Sequence, residues 1–166
     1  MNAFSLVNLK EQHADELFSL IEKNRSFLRK HLPWVDSTRS VAQTKEFIYS
    51  VSRLRIEGRA FFYLICIEGE IVGTISINNV RNMESSISYW VSEKHINLGV
   101  ATRACRGIVV LAKNMAMTKL KISCAKGNVA SQKVAINSGF SYSHEGERVI
   151  LNGEYIDVLE FRLELP

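Results

Sequence analysis

Trp90-Val91-Ser92-Glu93-Lys94-His95-Ile96-Asn97-Leu98-Gly99-Val100-Ala101-Thr102-Arg103 is the stretch on which the reading of this chain turns. It leaves an apolar run at Val91, crosses a short polar loop and enters a helical pattern at Gly99 or Val100. Glycine adopts backbone angles closed to other residues, so successive amides after Gly99 can point into one concavity. The start of a helix adds a partial positive charge, and Arg103 and Arg106 fall within its first turns. Together these features suit a pyrophosphate, although a glycine ahead of a helix also serves plain turn chemistry. The stretch is not a Walker loop, because no Gly-Lys-Ser/Thr occurs. Nor is it a dinucleotide fingerprint, which needs two further glycines.

Upstream, Ser85 to Val91 alternates, with Ile87, Tyr89 and Val91 on one face and Ser86, Ser88 and Trp90 on the other. Ile71 to Asn78 and Ala60 to Glu68 read as two more strands around a Glu68-Gly69-Glu70 turn, giving an antiparallel meander. Gly73 inside its strand predicts a bulge or a close backbone approach. Phe4 to Asn8 is a first strand. Ala14, Leu17, Phe18 and Ile21 have helical spacing; Asn24 and Ser26 are expected to end that helix and start a short second one, closed by Pro33. Ser40-Val41-Ala42-Gln43 fits a capping box that opens a helix reaching Gly58.

Downstream, Ala101, Ala104, Ile108, Leu111 and Met115 form a helical stripe, Leu120, Ile122 and Cys124 alternate as a strand, and Val129 to Ser138 is a helix stopped by Gly139. Val149-Ile150-Leu151 and Ile156 to Leu165 form a hairpin through Asn152-Gly153, the pair that favours a type I′ turn. The expected fold class is α/β (α+β): a mixed, mostly antiparallel central sheet flanked by helices, in one domain over 1–166.

The 166 residues carry 21 Lys+Arg against 17 Asp+Glu, a net charge of +4, and are 46% hydrophobic. Such a composition excludes a disordered tail, a collagen-like repeat and a disulfide miniprotein. No apolar run approaches the roughly 20 residues of a membrane-spanning helix. Met1-Asn2-Ala3-Phe4-Ser5 lacks the pattern of a secretory signal, so a cytoplasmic protein without a membrane partner is expected. The basic excess suits a polyanionic ligand. Nucleic acid is disfavoured, since there is no basic run of five, zinc finger or RNP pattern. Cys66, Cys105 and Cys124 sit in apolar settings and read as buried thiols in a reducing compartment. No metal is expected, because the four histidines lack ligand spacing.

Ser85-Ser86-Ile87-Ser88-Tyr89-Trp90-Val91, Gly99-Val100-Ala101-Thr102, Ala104-Cys105-Arg106, and Gly127-Asn128-Val129-Ala130-Ser131 through Asn137-Ser138-Gly139-Phe140 resemble the GNAT superfamily of N-acetyltransferases. Asn24-Arg25-Ser26-Phe27-Leu28 to Leu32-Pro33-Trp34 and Leu151-Asn152-Gly153-Glu154-Tyr155-Ile156-Asp157 resemble its ribosomal-protein serine acetyltransferase branch. The likeness spans nearly the whole chain. It implies a sheet splayed at its middle, with acetyl-CoA wedged between two parting strands.

The family's phosphate loop, Gln/Arg-x-x-Gly-x-Gly/Ala, maps onto Ile96-Asn97-Leu98-Gly99-Val100-Ala101. Gly99 and Ala101 fit, whereas Ile96 replaces a polar residue at an expected cost of about 1 kcal/mol, one net hydrogen bond. By resemblance the coenzyme contacts are Trp90, Val91, Asn97, Leu98, Gly99, Val100, Ala101, Thr102, Asn128 and Ser131. Ser131 is the candidate proton donor to the departing thiolate, and Asn128 is also a good N-cap. Many relatives carry Glu where this chain has Ser86. Glu84 and Glu147 are therefore the candidate bases, each also readable as a solvated surface carboxylate. His31, Trp34 and Tyr89 are the candidate acceptor contacts.

The implied reaction is direct attack of a neutral amine on the acetyl thioester. An α-amine titrates near pH 8 and a lysine amine nearer 10.4, so at pH 7 roughly a tenth of the former is neutral but well under a thousandth of the latter. A site without a strong base therefore suits a protein N-terminus. The alternatives are a small-molecule amine such as a polyamine or antibiotic, and a catalytically silent acyl-CoA-binding module. A homodimer is a further expectation by resemblance, assigned to no particular surface.

Overall fold

In the computed structural model of the protein, which describes residues 3–166, seven strands form one sheet in the order β1-β2-β3-β4-β5-β7-β6. Met1 and Asn2, the start of the segment read as lacking a secretory signal, lie outside the described residues. Strands β1 (Phe4–Asn8), β2 (Phe61–Ile67), β3 (Glu70–Arg81) and β4 (Glu84–Val91) are successively antiparallel. Strand β5 (Lys119–Ala125) joins β4 in parallel, and the hairpin of β6 (Ser141–Leu151) and β7 (Glu154–Glu164) completes the sheet through β7. Helices α1 (Ala14–Leu28) and α2 (Val41–Ile56) lie on one face, α3 (Val100–Asn114) and α4 (Val129–Asn137) on the other. This is the mixed, mostly antiparallel sheet with flanking helices that the alternating patterns predict.

Strand alternation sends successive side chains to opposite faces, so the protein has two cores. Ile75, Ile77, Ile87, Val91, Leu120 and Ile122 meet Ala104, Cys105 and Ile108 of α3. Leu64, Cys66 and Trp90 meet Leu17 and Ile21 of α1 and Ile48 of α2. All three thiols are free and buried, as their apolar settings predict.

The hairpin turns at Asn152 and Gly153 with φ of 51° and 83°, the type I′ geometry expected of that pair. Its first strand begins at Ser141, eight residues before the apolar triplet that advertises it. Ser40 caps α2 by accepting from the Gln43 amide at 3.2 Å, while the Gln43 side chain accepts from the Arg39 amide rather than completing a capping box. Helix α1 corrects the expected break: it runs unbroken through Asn24 and Ser26 to Leu28. The Asn24 side chain is buried, donates to the Leu20 carbonyl at 2.8 Å and accepts from the Glu93 amide at 2.9 Å. A long-range partner thus absorbs the polar groups that would otherwise compete with the helix.

No helix among the described residues is long and apolar enough to cross a membrane. The feature that positions the site is the joint between the two halves of the sheet. Strands β4 and β5 pair only at Glu84–Lys119, Ser85–Leu120 and Ser86–Lys121, then part. Gly73 lies opposite Val91 where β4 ends, and the β2–β3 register slips beside it. A Cβ there would stand 2.2 Å from the Trp90 carbonyl oxygen, so both a bulge and a close approach are present. Gly73→Val should destabilise the fold by about 1–3 kcal/mol, the range for overpacking. Thermal unfolding reads this as a drop of roughly 2–4 °C per kcal/mol; an unchanged melting temperature would show that β4 does not need this approach.

Candidate active site

Beyond Ser86, the β4 edge from Ile87 to Val91 has no strand partner on the β5 side. Backbone N–H and C=O groups in a sheet need partners, so this internal edge is open to a ligand that runs along it. Ser88 on β4 and Ser123 on β5 are exposed although both lie on central strands, because neither helix layer covers the gap on the α1–α2 face.

The loop after β4 is braced at three points. The Ser92 amide donates to the Val72 carbonyl at 2.8 Å, the Ser92 hydroxyl and His95 Nδ1 are 2.7 Å apart, and Asn24 of α1 takes the Glu93 amide. Asn97 and Gly99 then adopt left-handed φ of 59° and 73°. The first intrahelical bond of α3 runs from the Arg103 amide to the Gly99 carbonyl at 2.9 Å, and no side chain caps the helix. The amides of Val100, Ala101 and Thr102 are consequently first-turn donors without an intrahelical partner. Such donors fit phosphate oxygens, which is what the expected role of this loop requires. Ile96 and Leu98 are exposed around it, so the Ile96 departure removes a polar side chain without filling the cradle.

Of the two arginines, Arg103 stays beside the loop and Arg106 is engaged elsewhere. Arg103 stacks 4.4 Å over the Phe4 ring and, with Lys94 and His95, lines a groove of about 340 Å³ whose other wall is Leu98, Gly99 and Val100 of the loop itself. Arg106 donates to the Asn137 carbonyl at 2.7 and 3.1 Å, tying α3 to the end of α4. The first-turn donors themselves are backbone amides, with Arg103 at their side.

Across the gap, Asn128 caps α4 by accepting from the Ser131 amide at 3.1 Å. The Ser131 hydroxyl lies 2.8 Å from the Tyr89 hydroxyl of β4. Burial pushes the Tyr89 phenol well above its ordinary value, against the lowering effect of this bond. Burial likewise raises the Cys124 thiol, again opposed by Ser131, and takes Cys105 up to about 11. This side of the gap presents protonated, neutral donors. Trp90 and Val91 put their side chains into opposite cores and leave only backbone to a ligand.

The candidate acceptor contacts divide between the faces. Trp34, 39% exposed, lies with its ring centroid 6.5 Å from that of Trp90 on the α1–α2 side, near exposed His31 in the same connection. Tyr89 faces α4 instead. The candidate bases are not brought together: Glu84 sits at the joined end of the strands in an ion pair with Lys119 at 2.9 Å, and Glu147 is exposed on the edge strand β6. No cluster of metal-ligating side chains occurs among the described residues.

Sequence reasoning missed Glu160. Burial pushes its carboxyl up, but Arg162, Lys121 and His144 outweigh this and hold it below the ordinary range. The available signal was the alternation of Lys119, Lys121 and Ser123 with Leu120, Ile122 and Cys124, which gives a central strand one polar face.

The family model for the acetyltransferase (GNAT) domain matches residues 4–141. A ribosomal-protein-serine acetyltransferase of Escherichia coli is 30% identical over 154 residues, covering 89% of this chain and 85% of the relative. A RimL ribosomal-protein α-N-acetyltransferase solved with coenzyme A has a TM-score of 0.93 at 26% identity, covering 98% of this chain and 94% of that one. The Salmonella typhimurium enzyme described as modifying the N-terminal serine of a 50S ribosomal protein has a TM-score of 0.89 at 25% identity, covering 98% and 95%. A splayed sheet, a helix start with free backbone donors and these matches give one answer: the chain belongs to the GNAT acetyltransferase family, acetyl-CoA-dependent N-acetyltransferases.

Proposed function

We propose that this protein transfers the acetyl group of acetyl-CoA to the N-terminal α-amine of a protein such as a ribosomal protein, as a single cytoplasmic acetyltransferase domain over 1–166. The observation that carries the acceptor class is the lack, among the described residues, of an unengaged carboxylate in the gap. Glu84 is held by Lys119, Glu147 is on the outer edge, and Glu160 is engaged by Arg162. An amine that is partly neutral at pH 7 fits such a site, whereas a lysine or polyamine nitrogen does not. The names of the relatives point the same way.

In this reading Asn97, Leu98, Gly99, Val100, Ala101 and Thr102 hold the pyrophosphate through their backbone amides. The open edge of β4 ending at Trp90 and Val91 pairs with the pantetheine amides. Acetyl-CoA supplies an activated acyl group whose thiol is a good leaving group. Tyr89 steadies the Ser131 hydroxyl, leaving its proton free to meet the departing sulfur, and Asn128 fixes the helix end that presents Ser131. The amine enters from the opposite face, between Trp34 and the β6–β7 hairpin, with His31 at the rim. Its surplus proton leaves through solvent over the exposed Ser88 and Ser123, and solvent returns one to Ser131 once the coenzyme departs, so the net transfer is one proton from amine to sulfur.

Thiol release with a panel of N-terminal serine peptides, lysine peptides and polyamines tests the acceptor. Selective turnover of the α-amine peptides is expected; turnover confined to polyamines contradicts it, and coenzyme binding without any turnover would indicate a silent binding module. Ser131→Ala should lower kcat well beyond any change in acetyl-CoA affinity. Tyr89→Phe should lower kcat less, and the double variant should be no slower than Ser131→Ala, because the hydroxyls act as a unit. Additive losses would separate their roles. At the cradle, Gly99→Val should raise the acetyl-CoA Kd about tenfold, equivalent to about 1.4 kcal/mol. Gly99→Asn, which tolerates left-handed φ, should bind much closer to the parent; equal Kd values in all three would place the phosphates elsewhere.

A further inference from the structure

We propose that the cation-lined cavity at the joined end of β4 and β5 receives the far end of the acyl chain, so that the enzyme also transfers short dicarboxylic acyl groups, succinyl above all, from their coenzyme A thioesters. This inference rests on the coenzyme lying along the open edge of β4 and adds a second class of donor to that reading. The cavity is open, about 490 Å³, and lined by Arg81, Lys119, Lys121 and Arg162 together with Glu84 and Ser86.

The direction of the coenzyme decides which part of the thioester faces this cavity. The first-turn amides of α3 lie beyond Val91, and the Ser131 hydroxyl meets Tyr89, two residues back along β4. A coenzyme gripped by those amides, with its sulfur beside Ser131, runs toward Ser86, where β4 rejoins β5. Its acyl chain continues the same way.

Strand register sets the distance. Ser86 pairs with Lys121 and Lys121 with Arg162, so the three share the face of Ser88 and Ser123. That pair lies two residues from Ser88, about 7 Å along the strand. Three carbon–carbon bonds of about 1.5 Å each separate the two carboxyl carbons of succinyl, an extended span of about 4 Å. A charge-assisted hydrogen bond bridges about 2.8 Å more. A succinyl carboxylate with its thioester at Ser88 therefore reaches Lys121 and Arg162, whereas an acetyl methyl stops short of both. The Ser86 hydroxyl is turned back onto β3, bonded to the Asn78 carbonyl and the Asn79 amide, and leaves the way clear.

The charges lining the cavity do not cancel. Glu84 and Glu164 share Lys119, and Glu160 is shared by Arg162, Lys121 and His144. Arg81 pairs with no carboxylate among the described residues, so four cations face three carboxylates. Lys121 approaches Glu160 only to 3.6 Å, beyond ordinary hydrogen-bond length, and is half-exposed. Arg162 uses two of its nitrogens on Glu160, leaving donors for a second carboxylate. A carboxylate at the end of the acyl chain completes this network; an alkyl end of the same length gains nothing from it.

The acceptor does not compete for this space. It enters between Trp34 and the β6–β7 hairpin, and Trp34 stands against Trp90, four residues along β4 from Ser86. Amine and acyl chain thus approach the carbonyl carbon from opposite ends of the gap. The amine nitrogen bonds to that carbon, the carbon–sulfur bond breaks, and Ser131 protonates the leaving thiolate. Solvent takes the amine's surplus proton and restores Ser131. The products are an N-succinyl amide with its distal carboxylate unchanged, and coenzyme A.

The test is kcat/KM for acetyl-, succinyl- and butyryl-CoA with one N-terminal serine peptide, after subtraction of the enzyme-free rate. Butyryl has the carbon count of succinyl without its charge. The parent protein should prefer succinyl over butyryl by about fivefold to tenfold, the scale of two partly exposed ion pairs. The ratio should shrink with added salt. Lys121→Glu should bring it to one or below, and Lys121→Arg should keep it. The readout is a ratio within one protein, so a general loss of activity does not imitate it. Succinyl used no better than butyryl by the parent, or a ratio unmoved by Lys121→Glu, overturns the inference and leaves acetyl transfer standing. Turnover of none of the three thioesters overturns both.

Discussion

Three residue pairs hold β4 to β5, and the remainder of each strand lets go of its neighbour. The open edge this creates in the middle of a seven-stranded sheet is the constraint on which the site depends. Unpaired peptide groups are tolerated at a sheet's outer edge, where water reaches them, but an internal gap is costly unless something fills it. The two separate cores make the gap stable. Val91, Ile87 and Tyr89 anchor β4 against α3 and α4, Trp90 anchors it against α1 and α2, and β5 is secured independently by its pairing with β7. Neither strand relies on the other beyond Ser86.

The gap also separates two chemistries. On the α3–α4 side lie a helix start with unsatisfied amides and a pair of neutral hydroxyls, suited to an anionic carrier and a departing thiolate. The α1–α2 side has exposed serines and a floor of paired charges, suited to a polar acceptor. Asn24 links the two, since one buried amide on α1 holds the loop that shapes the phosphate cradle.

Elements fixed by local chemistry were legible in the sequence. Gly99 ahead of an apolar stripe, Asn152-Gly153 between alternating runs, and Ser40 before α2 each name a backbone conformation that few alternatives satisfy. Family resemblance supplied the splay, which no local pattern encodes because it depends on where two distant strands stop pairing. Asn24 misled because its usual role is to end helices, and only the distant Glu93 amide satisfies it within one. Arg106 misled because its position on the helix says nothing about the Asn137 carbonyl it reaches. The face chosen by Tyr89 was legible from alternation, but its Ser131 partner was not. Glu160 is one of four acids on β7, and its own strand does not single it out; only the polar face of β5, with Lys121 beside it, does.

Amide hydrogen exchange with and without saturating coenzyme A tests the gap and cradle together. Protection is expected at two segments 98–102 and 87–91, the start of α3 and the open edge of β4. Protection confined to segments away from both, or none at either segment, would contradict the account.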